Sequence, residues 1–385
     1  MASISRSTSA CRMRWGGCRP PGTVSQCAKK VVLKPLSGKD GTVMKDTMIG
    51  VDLAKSVFQL HAASMTGELK FRKKLSRQSF LKFMAELPPA AVVMEACGSA
   101  HYWAREMIRL GHEVKLIAPH YVKPFVKRQK NDAADAEAIV IAAQRPEMRF
   151  VDPKSAEQQS RAVLFRARER LVHQRTELVN ALRACLYEYG YVVPHGIHQL
   201  KRIEEILAAA SGELPDLVRE ECLDLMEQIG EKTARINVRT GKIKALAAEA
   251  DTARRLQTIP GVGSLTAMAV EAFAPSMESF RCGRDFAAWL GLVPRQFSSG
   301  GKERLGRTSK AGQTDIRRLL IIGAMSRLSW LGRKSIPEDS WLARIAARKP
   351  RMLVAIALAN KMARTIWALI TKNQDYRVPA QVAAA

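Results

Sequence analysis

An α/β domain followed by a mainly helical second half is the fold class this sequence predicts. Three observations predict it. Short apolar runs alternate with helical patterns up to about residue 150, as in a mixed sheet covered by helices. Leu164, Leu171 and Leu178 are seven apart, as are Ile229, Ile236 and Ile243, the spacing of helices that pair along a seam. The last third holds apolar helical stretches separated by Pro- and Gly-containing turns.

Residues 47–63 read as a strand, a tight turn and a second strand, and the following KFRKKLS as a third, antiparallel strand. A helix is expected from about Gln78 to Leu87. AAVVMEA is then a strand, SAHYWAREMIRLG a helix closed by Gly111, and EVKLIAP a strand ending at Pro119. A further helix runs from about Asp132 and stops at Pro146. Residues 156–250 read as an antiparallel helical hairpin interrupted at YGYVVPHGIH. Its heptads suit packing within one domain or a dimerising coiled coil. From Asp251 come LQTIPGVGSLTAMAVEAF, RDFAAWLGLVP, a polar Gly-rich loop (Arg295–Gly312) and two apolar helices, Ile316–Leu328 and Met352–Ile370. Trp289, Trp330, Trp341 and Trp367 fall in apolar patterns and are expected in the core.

The chain has 385 residues and a formal charge of +26, with 62 Lys and Arg against 36 Asp and Glu. Such a surplus on a folded chain is the electrostatic footprint of a nucleic-acid partner. Residues 251–372 carry 21 Lys and Arg against eight acids. The longest apolar run, Met352–Ala359, falls far short of the ~20 residues a spanning helix needs, so no membrane partner is expected. Seven scattered cysteines form no CxxC pair, which suits reduced thiols and a cytoplasmic location. The first 46 residues lack a secretory h-region. They suit either a disordered basic arm or a leader upstream of a start near Met44 or Met48. Residues 373–385 read as a tail.

Four carboxylates carry the chemistry. Asp52 and Glu95 interrupt the apolar runs MIGVDLA and AAVVMEA, where an uncompensated charge costs several kcal/mol. On neighbouring strand ends they can point to one side of a sheet. Asp132 and Asp135 share one helix face. Gathered at one edge, the four call for a divalent cation, Mg²⁺ or Mn²⁺, of the kind that clamps a phosphodiester. Taken alone, Asp132 and Asp135 equally suit the capping of a helix N-terminus.

Two further stretches point to phosphate. In PRQFSSGGKERLGRTSKAGQTDIRRL, adjacent serines precede two glycines among Arg295, Lys302, Arg304, Arg307, Lys310, Arg317 and Arg318. Such a loop binds phosphate through backbone N–H groups and guanidinium forks, and a serine in it can attack phosphorus. All seven histidines lie at or before His198, so none from this region can serve as base. IPGVGSLTAMAV resembles half of a helix-hairpin-helix, with Gly261 and Gly263 presenting N–H groups to a DNA phosphate, or is a plain helix connection. Lys127, Arg128 and Lys130, interleaved with Tyr121 and Phe125, suit either backbone tracking or a solvated loop.

With IGVDLAK, VVMEACGSAHYWA, KNDAADAEAI and the block from LQTIPGVGSLTA to TDIRRLL in place, the chain resembles the DEDD-type insertion-sequence transposases, described as bridge-RNA-guided recombinases. The resemblance covers about residues 47–372. It implies a RuvC-like, ribonuclease H-type domain over 47–155, a helical coiled-coil linker over 156–250 and a C-terminal transposase domain over 251–372. It also implies metal ligation by Asp52, Glu95, Asp132 and Asp135, and a catalytic serine in the Ser-Ser-Gly motif. Ser299 is the expected nucleophile, with Ser298 the alternative. The implied partners are DNA at the element ends and target, a structured guide RNA, and further copies of the chain in a dimer or tetramer with composite sites. Two rival functions remain at this stage: a RuvC-like two-metal nuclease or junction resolvase, and a non-catalytic DNA-binding protein.

Overall fold

The computed structural model describes residues 46–126, 132–209, 214–332 and 340–377. Residues 1–45 of the leader, together with Lys127, Arg128 and Lys130, lie outside the described residues. In the first half, β1 (Thr47–Leu53), β2 (Val57–Ser64) and β3 (Leu69–Ser76) form an antiparallel meander. β4 (Ala91–Glu95) and β5 (Glu113–Ile117) extend it in parallel from β1, and the short β6 (Phe150–Val151) closes it antiparallel. The sheet order is β3-β2-β1-β4-β5-β6, consistent with a ribonuclease H-like domain. Helices α1 (Arg77–Glu86), α2 (Ala100–Arg109), α3 (Pro119–Val122) and α4 (Asp132–Ala143) surround it.

The central strand is buried on both faces, which is why MIGV reads as a continuous apolar run. The period-two alternation sorts its side chains. Ile49 and Val51, with Val92 and Met94, pack with Phe58, Phe80 and Trp103 beneath α1 and α2. Those three aromatics meet edge to face at 5.0–5.3 Å. Met48, Ala63, Val93 and Ile117 instead pack with Ile139, Val140 and Ala143 of α4.

The second half begins with α5 (Ala156–Glu188), opened by a capping box between Ser155 and Gln158. After α6 (Leu200–Ala209), α7 (Asp216–Glu249) returns along α5. Arg168 donates to the Thr240 hydroxyl at 3.1 Å and Arg175 to that of Thr233 at 3.3 Å, so the pair is antiparallel. Ile229, Ile236 and Ile243 are buried within this one chain, so their heptads are used in packing α7 against its own neighbours.

The C-terminal region comprises α8 (Asp251–Gln257), α9 (Ser264–Phe273), α10 (Gly283–Trp289), a hairpin of β7 (Pro294–Gln296) and β8 (Leu305–Thr308), α11 (Thr314–Leu331), α12 (Trp341–Ala346) and α13 (Arg351–Lys372). Among the described residues, α13 is the one helix long and apolar enough to cross a membrane, and it buries Ala355, Ala359, Ala363 and Ile366 in the C-terminal core. Trp289 and Trp367 pack against that core, whereas Trp330 is 48% exposed with Arg327 over its ring, correcting the expectation of a buried indole. The helical regions are joined by ion pairs. Arg168 of α5 and Arg318 of α11 both engage the buried Glu169 carboxylate, and Arg161 meets Glu271 of α9 at 2.6 Å.

Candidate active site

Parallel pairing carries β1 and β4 side by side from Met48 and Ala91 to Val51 and Met94. The next residues along the strands are Asp52 and Glu95. By alternation they share the face of Met48, Gly50 and Val93, which is the face that α4 covers. Gly50 sets how closely α4 approaches. A Cβ there would lie 2.5 Å from the Ala136 carbonyl oxygen and 2.6 Å from Val140 Cγ2. Asp135 directly precedes Ala136 and so enters over the same strand edge.

The electrostatics show the convergence. The Glu95 carboxyl is raised above its ordinary value, first by burial and then by the negative charges of Asp52 and Asp135. Asp132 opens α4, and its side chain lies outside the described residues. Among the described residues, no group of three His, Cys, Asp or Glu side chains is drawn tightly enough to hold an ion. The three carboxylates are therefore close enough to repel without forming a closed ligand shell. Their hard oxygen donors and mutual repulsion suit a divalent cation, which would relieve both charge and burial.

The Ser-Ser-Gly segment, expected as a loop, is a β-hairpin. Gly300 and Gly301 both take positive φ, 57° and 76°, as a two-residue type I′ turn requires. Ser299 and Lys302 close the turn, with the Lys302 N–H donating to the Ser299 carbonyl at 3.1 Å. The two serines differ. The Ser298 hydroxyl accepts from Gln296 Nε2 at 3.1 Å and from the Arg304 N–H at 3.3 Å. The Ser299 side chain is exposed and makes no hydrogen bond among the described residues. Arg295, Lys302, Arg304, Arg307 and Lys310 are exposed along the same hairpin and its flank.

Two family models match these two centres. The DEDD-type transposase model of IS110 elements matches residues 49–191, and the model described as the IS116/IS110/IS902 transposase family matches residues 253–337. A probable family 20 transposase of Pseudomonas aeruginosa is 44% identical over 336 residues, covering 87% of this chain and 99% of that one. The transposases of IS1328 in Yersinia enterocolitica and of IS1111A in Coxiella burnetii are each 39% identical, over 85% and 88% of this chain and 97% and 93% of their own lengths. The chain belongs to the IS110 family of transposases. Cutting and rejoining of DNA is the activity of that family, and DNA is accordingly its substrate.

Other residues expected at the transposase's nucleic-acid surface have different places. Arg317 turns inward, 9% exposed, donating to the Leu290 and Ala311 carbonyls at 2.9 and 2.7 Å and to the Thr314 hydroxyl at 3.1 Å. Its guanidinium fastens the base of the hairpin to α10 and is spent on that task. Arg318 is likewise held by Glu169. Gly261 and Gly263 line an open groove of about 470 Å³ with Lys244, Ser264, Gly323 and Ser326. Gly261, at φ 92°, also lets the turn touch α11, since a Cβ on it would lie 2.9 Å from the Gly323 carbonyl oxygen.

Sequence reasoning missed Gly50 and the inward turn of Arg317. Gly50 did carry a signal, because a glycine inside an apolar strand often marks close approach by another backbone. Arg317 carried none, being one of two adjacent arginines at the start of an apolar helix.

Proposed function

We propose that this transposase cuts and rejoins DNA at insertion-sequence ends and targets through a covalent serine step. Ser299 Oγ forms a bond to phosphorus as a P–O bond of the strand breaks, freeing one DNA hydroxyl. A different DNA hydroxyl later displaces the serine and restores the phosphodiester. The serine's proton goes to a base on another surface, since no histidine follows His198. Arg295, Lys302, Arg304, Arg307 and Lys310 hold the strand and offset the charge that develops on phosphorus. Asp52, Glu95, Asp132 and Asp135 would hold Mg²⁺ or Mn²⁺, which supplies Lewis-acid stabilisation of phosphoryl oxygens when bound. A composite site formed with a second copy of the chain, and a structured RNA that selects the DNA, complete the proposal.

One observation carries it. Ser299 stands exposed at the tip of a basic hairpin with its hydroxyl uncommitted, while Ser298 accepts two internal hydrogen bonds. The test incubates protein with Mg²⁺, cognate RNA and labelled element-end DNA, then separates the products on a denaturing gel. Wild type and Ser298→Ala give a protease-sensitive covalent adduct, and Ser299→Ala gives none. Strand cleavage that persists without adduct in Ser299→Ala would instead identify hydrolysis at the acids alone.

A further inference from the structure

Four basic side chains, His101, Arg105, Lys154 and Arg166, meet where the sheet domain joins α5, and no acid is paired with the cluster among the described residues. Lys154 and Arg166 approach the same ring: Lys154 Nζ and Arg166 Cζ are each 5.4 Å from the centroid of the buried Phe273. The Lys154 backbone N–H donates to His101 Nδ1 at 3.1 Å, so the neutral imidazole carries its proton on Nε2 and presents a donor there. Arg105 fixes this corner by donating to the Lys154 carbonyl at 2.8 Å and to Gln159 Oε1 at 2.5 Å. Lys154 is held below the ordinary lysine value by burial and by Arg166. His101 is lowered by burial, then by Lys154, Arg105 and Arg166.

Elsewhere at this junction the cations are matched. Arg161 has Glu271, and Arg168 and Arg318 share Glu169. A half-buried lysine packed beside a second cation is costly unless an anion joins them. A phosphodiester supplies that anion, with oxygens for an ammonium, a guanidinium and an imidazole N–H together.

We infer that Lys154 and Arg166, set around Phe273, together with His101, which Lys154 bonds and Arg105 helps position, form a phosphate clamp that grips a nucleic-acid backbone near the carboxylate centre. The reach is short. His101 lies six residues after Glu95 in the chain, which limits their separation to about 21 Å, or about six phosphates along one strand. A single strand held at the clamp can thus reach the end of β4 that carries Glu95. It needs nucleic acid to be the substrate, as family membership provides, and is independent of the serine step.

The experiment measures binding of full-length protein to two labelled probes across 50–200 mM salt: element-end duplex DNA and a structured RNA transcribed from the element's flank. Lys154→Gln and Arg166→Gln each lower the steepness of log K against log salt by about 0.9 for duplex or about 0.7 for single strand. That amounts to an about 3-fold change in relative affinity over this range. Lys154→Arg keeps the wild-type slope, as does Arg202→Gln on the exposed face of α6. A change confined to DNA, or to RNA, says which backbone the clamp holds. Arg166 is exposed, so its variant keeps the test open if Lys154→Gln fails to fold. Unchanged slopes for Arg166→Gln with both probes, or an equal change in Arg202→Gln, would overturn the clamp.

Discussion

In Gly50→Ala the new Cβ would lie 2.5 Å from the Ala136 carbonyl oxygen, 2.6 Å from Val140 Cγ2 and 3.3 Å from the Val140 nitrogen. The Val140 methyl can rotate away, but a helix carbonyl cannot, so α4 has to retreat from β1 by roughly 1 Å to restore ordinary contact. Overpacking of this kind costs about 1–3 kcal/mol. The retreat also carries Asp135, next to Ala136, away from Asp52 and Glu95. Misplacement of reacting groups by about 1 Å can cost ~100-fold in rate. The assay follows strand cleavage of element-end DNA, with thermal unfolding and DNA affinity measured alongside. The expected result is about 100-fold slower cleavage and lower stability, with DNA affinity held within a factor of about two because the basic hairpin is untouched. Full cleavage activity in a folded Gly50→Ala protein would refute the idea that α4 completes the acid cluster.

Three more outcomes follow from the same contacts. Because the folded-state Glu95 pKa is raised, its ionised form opposes folding above that pKa, and the penalty fades as pH falls toward the unfolded value. Metal-free Glu95→Gln should therefore melt higher than wild type at neutral pH and equally near pH 4, while added Mg²⁺ should raise the melting temperature of wild type only. Gly301→Val places a branched side chain at φ 76°, costing about 1–2 kcal/mol with no clash, so covalent adduct should fall and the melting temperature drop by only a few degrees; Gly300→Asn, which tolerates that region, should keep activity. Arg317→Gln orphans the Leu290 and Ala311 carbonyls and should lower stability by about 1–3 kcal/mol in a denaturant titration.

Asp52 and Glu95 were legible because charge inside an apolar strand is a strong anomaly, and the structure sets them near each other and near Asp135. The α/β order, the helical hairpin and the apolar C-terminal helices followed from periodicity. What periodicity could not supply was contact between distant segments. The spacing between β1 and α4 depends on the absence of one Cβ at Gly50. The β7–β8 hairpin was hidden because its strands are short, exposed and polar, with no alternation to read, although the Gly-Gly pair was a usable turn signal. Net charge likewise counted Arg317 and Arg318 with the surface cations, since composition cannot tell a guanidinium facing solvent from one bonded to carbonyls or Glu169.

Locating the protein–DNA bond tests the serine step most directly. Wild-type adduct formed on element-end DNA can be trimmed with nuclease, digested with protease and mapped by fragment-ion mass spectrometry. A nucleotide phosphate carried on Ser299 is the result expected from the uncommitted hydroxyl at the hairpin tip. A nucleotide on Ser298 or any other side chain, or cleavage that leaves every peptide unmodified, would contradict it.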